Sequence, residues 1–457
     1  MRTNPVNKHL YTWFIANICF PIHEFFKRHH TVSIRRELEI TQWWDKSQIE
    51  QLQLSKLKRL LIHAKANVPY YQKIMRDLAI EPEQFESLAA LSKLPLLNKA
   101  AIRTNIESLK SLNAQSLVRS NTGGSSGEPL IFYLGKERVS HDVAAKWRAT
   151  RWWNVDIGDP EIVIWGSPIE LGTQDNIRAL RDSLFRSKLL PAFEMSDQKL
   201  QIFLDEIRSF QPKMLFGYPS ALSFIARYAE KTGELMNNLG IKVAFVTSER
   251  LYDEQRQQIS KTFNCPVANG YGGRDAGFIA HECPAGGMHI TAEDVIVEIL
   301  DNQGTPVPCG ESGEIVITHL ASSDFPFIRY RTGDIGKLDD QLCSCGRGLP
   351  LLKEIEGRST DFVVAQDGTV MHGLALIYIL RKIPEINAFK IIQENLDLTR
   401  ILIVSKSALD GATIKLITNE FQTRLGNDIT IKIEEVNEIP LEKSGKFRYV
   451  ISKVIPP

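Results

Sequence analysis

Between Leu117 and about Gly357 short apolar runs alternate with amphipathic stretches, and that alternation limits the fold more tightly than any other feature of the chain. Glu161-Ile-Val-Ile-Trp165 reads as a strand. Lys213-Met-Leu-Phe216 reads as a second, followed by a helix from about Pro219, and Ile241-Lys-Val-Ala-Phe-Val246 as a third. Strands that alternate with helices predict a largely parallel sheet with helices on its faces. Farther on, Asp294 to Leu300 and Glu314 to Thr318 read as two strands joined through a polar Gly/Pro turn that begins at Asp301.

The flanks read differently. Residues from about Ser33 to Leu109 are predicted helical, with apolar side chains every three or four positions from Ile49 to Ala66. Roughly the last 95 residues predict a small α+β unit: a hairpin over Ala388 to Ile392 and Thr399 to Val404, a helix over Ala412 to Leu425, and a strand over Ile429 to Glu435. The boundary between body and C-terminal unit falls near Gly357 to Asp361. A chain of 457 residues is too long for one core, so more than one domain is expected.

Charge and cysteine usage exclude whole classes of function. With 55 Lys+Arg against 54 Asp+Glu there is no global field to recruit nucleic acid or an anionic membrane, so an anionic ligand must be held locally. Six cysteines with no scaffold spacing suit a reducing, cytoplasmic setting. The apolar stretch Leu10 to Phe20 contains Asn17, is too short to span a bilayer, and lacks the flanks of a signal peptide. It reads either as a helix packed on its own domain, the reading favoured here, or as a peripheral membrane contact. In the second reading Trp13, Phe14, Phe20, Phe25 and Phe26 lie on the apolar side, with Lys27-Arg28-His29-His30 behind them.

Five segments carry chemistry, in a fixed order. Ser120-Asn-Thr-Gly-Gly-Ser-Ser-Gly-Glu-Pro129 concentrates glycines, which let backbone N–H groups approach an anion, and hydroxyls, which add donors. No Gly-Lys-Ser/Thr follows at the spacing of a Walker loop, and alone the segment reads equally well as a flexible turn. The others are Asn269-Gly-Tyr-Gly-Gly-Arg-Asp275, Arg329-Tyr-Arg-Thr-Gly-Asp334, Glu356-Gly-Arg-Ser-Thr-Asp361 and Leu441-Glu-Lys-Ser-Gly-Lys-Phe-Arg448.

Together these segments resemble the core motifs of the acyl-adenylate-forming superfamily, in the phenylacetate-CoA ligase and CapK-like branch, over about residues 35 to 452. The resemblance implies an α/β, multi-layer adenylate-forming fold. A large body would run from 1 to 357 with a helical extension to about 115, a hinge over 358–361, and a small α+β cap over 362–457. It implies that Thr122, Gly123, Gly124, Ser125, Ser126 and Gly127 bind the ATP phosphates, and that Tyr271 stacks near adenine between Gly270 and Gly272. Ser248 and Glu249 would line the adenine pocket, Asp334 would hold the ribose hydroxyls, and Arg358 would lie near the ribose. Asp275 stands where most relatives carry a Mg²⁺-binding Glu, and keeps a hard oxygen ligand on a shorter arm. Arg274, where Thr is common, is a departure that would clamp a carboxylate or phosphate, or else pair with an acid. Lys446 would bridge carboxylate and α-phosphate during adenylation. Thr360 replaces the usual hinge aspartate, with Asp361 retained.

The implied reaction consumes ATP and a small carboxylic acid, releases pyrophosphate, and passes the acyl group to coenzyme A or another acceptor, as in capsule or polysaccharide assembly. A non-catalytic nucleotide-binding protein is the alternative of another class. Trp165, Phe216, Gly217 and Tyr218 would approach the acid or simply pack in the core, and a homodimer is left open. Cys283, Cys343 and Cys345, with His281 or His289, have the donor types of a structural Zn²⁺ site.

Overall fold

The computed structural model describes residues 5–122, 130–165, 176–192, 194–301, 303–356, 362–439 and 449–454. The N-terminal helical reading holds where caps and burial agree. The helix Lys46–Asn67 starts at a capping box, with the Asp45 side chain accepting from the Gln48 backbone N–H and the Gln48 side chain accepting from the Asp45 N–H. It buries Ile49, Leu57, Leu60, Leu61 and Ala64, the three- and four-residue spacing of one helical face. It ends at Val68 because Pro69 cannot continue it and instead opens the next helix, Pro69–Asp77.

Among the described residues the body is built on an eleven-stranded sheet. Its spatial order is Val295–Leu300, Gly313–His319, Tyr330–Asp339, Leu351–Glu356, Met288–Ile290, Gly277–Glu282, Val267–Gly273, Val243–Thr247, Met214–Gly217, Glu161–Trp165 and Ser187–Pro191. The sequence reading expected a largely parallel sheet, and the sheet is mixed. From Val267–Gly273 to Ser187–Pro191 the strands run parallel, joined by helices such as Asp197–Phe210, Pro219–Thr232 and Asp253–Phe263. From Val267–Gly273 the other way every pairing is antiparallel. The reason lies in connection length: after Val267–Gly273 the chain returns through a turn too short for a helical crossover.

Charged side chains tie the N-terminal helices to this sheet. Arg148 and Glu293, each 1% exposed, pair at 2.6 Å, and Thr41 donates to the same carboxylate at 2.8 Å. Lys56 donates to the Glu293 carbonyl and lies 3.7 Å from Asp294, which His141 contacts at 2.6 Å. Against the cost of burial, His141 and Lys56 hold the Asp294 carboxyl well below the usual carboxylate range.

The first helix differs from its sequence reading in one respect. Phe20 faces inward, its ring edge-on to Trp147 at 5.1 Å, whereas Trp13, Phe14, Phe25 and Phe26 are exposed. The C-terminal unit pairs Ile386–Asn395 antiparallel with Leu398–Ser405, which runs parallel to Thr430–Glu435, and covers them with Leu374–Arg381 and Gly411–Leu425. A second, three-stranded sheet joins Phe362–Val364 and Val370–His372 to Glu194–Met195 of the body.

Candidate functional site

The parallel strands end together, and their carboxyl ends collect the predicted residues, as expected for a ligand crevice in an α/β sheet. Trp165 ends one strand, Gly217 ends the next with Tyr218 after it, Ser248 and Glu249 follow Val243–Thr247, and Gly270 to Asp275 close the last parallel strand and its turn. Ser248 takes φ +73°, the left-handed backbone that turns the chain away after the strand. Glu249 accepts a hydrogen bond from Ser220, in the first turn of Pro219–Thr232.

The second and third motifs are cross-linked reciprocally. The Tyr271 hydroxyl donates to Asp334 Oδ2 at 3.0 Å, and the Tyr330 hydroxyl donates to Asp275 Oδ2 at 2.5 Å. Each motif thus gives one tyrosine and takes one carboxylate contact. Asp275 Oδ1 also accepts from the Ala276 backbone N–H, and Arg138 holds the Asp275 carbonyl at 3.1 Å. Asp334 is fixed locally by Gly333 at φ +78° and by its own N–H to the Thr332 hydroxyl. Gly272 is required sterically, because a Cβ there would sit 2.2 Å from the Gly277 carbonyl oxygen. Tyr330 and Arg138 were not singled out in the sequence, although Tyr330 stands inside the third motif string.

Arg274 is half-buried in the turn, where burial pulls its pKa down and the Tyr378 ring of the C-terminal unit acts in the opposite direction. Trp165 stacks on Tyr218 at 4.5 Å and on Phe216 at 6.1 Å, a layered aromatic wall. Tyr218 is buried and Gly217 packs against the Ile164 carbonyl, so these two contribute core packing as well. Thr122 follows the hairpin strand Val118–Asn121, its hydroxyl accepting from the Leu130 N–H at 3.0 Å, which ties together the residues on either side of 123–129. Gly123, Gly124, Ser125, Ser126, Gly127, Arg358, Thr360, Asp361 and Lys446 lie outside the described residues.

A second cluster lies across the sheet's antiparallel half. The ligand atoms of Cys283, His289, Cys343 and Cys345 lie within 4.8 Å of one another, with Cys283 Sγ 3.6 Å from Cys343 Sγ and His289 Nε2 3.2 Å from Cys345 Sγ. Zn–S bonds of about 2.3 Å place two tetrahedral sulfurs about 3.7 Å apart, so the spacing fits Zn²⁺. His289 Nδ1 faces the Leu349 carbonyl at 3.3 Å, which leaves Nε2 to turn to the sulfurs. His281, offered by the sequence as an alternative ligand, is outside this group: it stacks on Phe278 at 5.3 Å, and neither ring nitrogen has a hydrogen-bond partner among the described residues. Burial pushes its pKa down to about 3.

The CapK C-terminal domain family matches residues 363–453. Protein CapK of Staphylococcus aureus is 23% identical over 437 residues, covering 94% of this chain and 93% of that protein. Phenylacetate-coenzyme A ligase of Thermus thermophilus is 23% identical over 397 residues, 84% of this chain and 85% of the relative. Among solved structures, 2-hydroxyisobutyryl-CoA ligase with 2-HIB-AMP and CoA in its thioesterification state superposes with a TM-score of 0.65 at 20% identity, over 90% of each chain.

Proposed function

We infer, from a chain that is homologous to CapK and to the phenylacetate-coenzyme A ligases and has the fold of an adenylate-forming ligase, that it activates a carboxylic acid at the expense of ATP and passes the acyl group to coenzyme A. A carboxylate oxygen attacks the α-phosphorus, the bond to pyrophosphate breaks, and acyl-AMP forms. The thiol sulfur then attacks the acyl carbon, AMP departs, and the thiol proton is lost. The observation that carries this reading is the pair of bridges Tyr271–Asp334 and Tyr330–Asp275, which draws the two nucleotide motifs into one rigid patch at the strand ends.

In this reading Asp334 takes the ribose hydroxyls, Tyr271 flanks adenine above the close approach at Gly272, Glu249 and Ser248 border the base, and Thr122 anchors the loop 123–127 on the phosphates. Trp165 and Tyr218 supply an aromatic wall for the acid. Asp275, with both carboxylate oxygens oriented by hydrogen bonds, fits a Mg²⁺ ligand. When bound, Mg²⁺ neutralises phosphate charge as pyrophosphate leaves. Lys446 delivers a cation to the attacking carboxylate from the cap over 362–457, which turns about 358–361. The three thiolates and His289 hold a structural Zn²⁺, remote from the reaction. Transfer to another acceptor, in polysaccharide assembly, is the second reading; it rests on the CapK match of the C-terminal unit, the part that carries Lys446.

The deciding experiment is Mg²⁺-dependent pyrophosphate release against a panel of acids, with product mass determined with and without coenzyme A. Lys446→Ala should bind ATP yet form acyl-AMP on the order of 10²-fold more slowly, as for loss of one transition-state donor. Asp334→Ala should weaken ATP binding. ATP binding with no pyrophosphate from any acid would instead mark a non-catalytic nucleotide-binding protein.

A further inference from the structure

Residues Pro5–Phe14, Ile15–Cys19 and Phe20–Lys27 form one rod, since Phe14 and Cys19 at the joins keep right-handed helical backbone. The middle stretch is a π turn. Side chains placed every four residues drift around an α-helix, and a wider turn takes that drift back, so one face persists along the rod. The inner face is fixed to the body: the Thr12 hydroxyl donates to Asp159 at 2.8 Å, Ile15 and Ala16 are buried, and Phe20 packs edge-on to Phe185 at 5.8 Å.

The outer face is apolar and uncovered. Trp13 is 59% exposed, Phe14 48%, Ile22 52%, Phe25 77% and Phe26 79%, with Leu10 one turn earlier at 59%. Monomeric proteins rarely display such a contiguous patch without a use for it. The side chains protrude as a ridge instead of lining a groove. The charge on this segment is one-sided as well. In the first thirty residues Arg2, Lys8, Lys27 and Arg28 face a single acid, Glu24, whereas the whole chain carries 55 basic and 54 acidic residues. Glu24 is buried and engaged by His23, His29 and Thr31, so its carboxylate is turned inward.

We propose that the rod Pro5–Lys27 is an interfacial anchor that lays Trp13, Phe14, Ile22, Phe25 and Phe26 into the headgroup boundary of an anionic phospholipid bilayer, with Lys27 and Arg28 on the lipid phosphates. No helix among the described residues is long and apolar enough to cross a membrane, and the rod's buried inner face requires it to lie flat. Anionic lipid supplies the complement to the exposed cations, and a fluid interface accepts a convex ridge. This assignment is independent of the reaction proposed above.

The test uses the full chain with extruded vesicles of phosphatidylcholine alone or mixed with phosphatidylglycerol, read by co-sedimentation. The wild type should sediment with the anionic vesicles, and Phe25→Asp/Phe26→Asp should weaken that association tenfold or more with an unchanged thermal melt, because both side chains are exposed. Lys27→Glu/Arg28→Glu should remove the preference for anionic lipid, and added salt should weaken wild-type binding. Failure to bind either vesicle, or equal binding by the Phe25→Asp/Phe26→Asp protein, overturns the proposal. So does binding indifferent to lipid charge. Sedimentation velocity closes the remaining case: a wild-type dimer that Phe25→Asp/Phe26→Asp converts to monomer would put a second copy on the ridge and overturn the lipid assignment.

Discussion

Replacing His281 by Phe should make the protein less sensitive to acid, by an amount that follows from where the imidazole sits. The ring is fully buried between Phe245 and Phe278, neither nitrogen has a partner among the described residues, and burial, aided by Arg148, lowers its pKa from 6.5 to about 3. A depressed pKa means that the folded state refuses a proton the unfolded chain accepts. Stability is therefore complete above pH 6.5 and is lost as pH falls from there towards 3. From pH 6.5 to 5 the loss is 1.5 pH units at about 1.36 kcal/mol each, or about 2 kcal/mol. His281→Phe keeps a flat ring in the stack and removes this titration. Its absolute stability at pH 7 combines a slightly larger ring with relief of two buried orphan nitrogens, so the decisive quantity is the difference between pH values. Urea unfolding of both proteins at pH 7 and pH 5 gives that difference. The other buried histidines lowered by burial, His289 and His319, each at about 4, titrate in both proteins and cancel. The wild type should lose about 2 kcal/mol more than the variant between the two pH values, and equal losses would show that His281 protonates freely in the fold, refuting the argument.

Three further outcomes are expected. Tyr330→Phe deletes the hydroxyl on Asp275 and should lower Mg²⁺-dependent pyrophosphate release by at least tenfold, since a hydrogen bond to a charged group is worth about 1.5–3 kcal/mol; an unchanged rate would detach Tyr330 from the site. Glu293→Ala leaves Arg148 buried without its carboxylate and should cost about 3–5 kcal/mol in urea unfolding, whereas a loss under about 1 kcal/mol would mean that water reaches the pair. Purified protein should contain near one zinc per chain by elemental analysis, lost in Cys345→Ser; metal-free wild type with an unaltered melt would leave four ordinary side chains.

Sequence reading recovered the parts governed by local rules. The helix beginning after Asp45, the alternating strands from Glu161 onward and the hairpin Ile386–Asn395 with Leu398–Ser405 were legible because capping, periodicity and turn residues act over a few positions. The resemblance assigned Tyr271 to adenine and Asp334 to the ribose, but neither their hydrogen bond nor the matching contact of Tyr330 with Asp275 was legible, because nothing in a string of residues states which hydroxyl turns to which carboxylate. The change from parallel to antiparallel pairing at Gly277 was hidden for a similar reason: a short buried run reads alike in either direction. His281 and His289 are register partners on adjacent strands, and only the approach of the Cys343–Cys345 loop to His289 separates a candidate ligand from a stacked core ring.

Among the described residues the shortest strand is also a tie between the body and the C-terminal unit. Glu194–Met195 pairs with Val370 and Met371, so a backbone ladder stitches the body to the C-terminal unit across the chain interval 357–361. Any turning of that unit has to unzip this ladder first and leave Met195 at an open sheet edge. A unit held this way is latched by its main chain, and a turn about the interval would be gated by hydrogen bonds that no side-chain substitution at the nucleotide site removes.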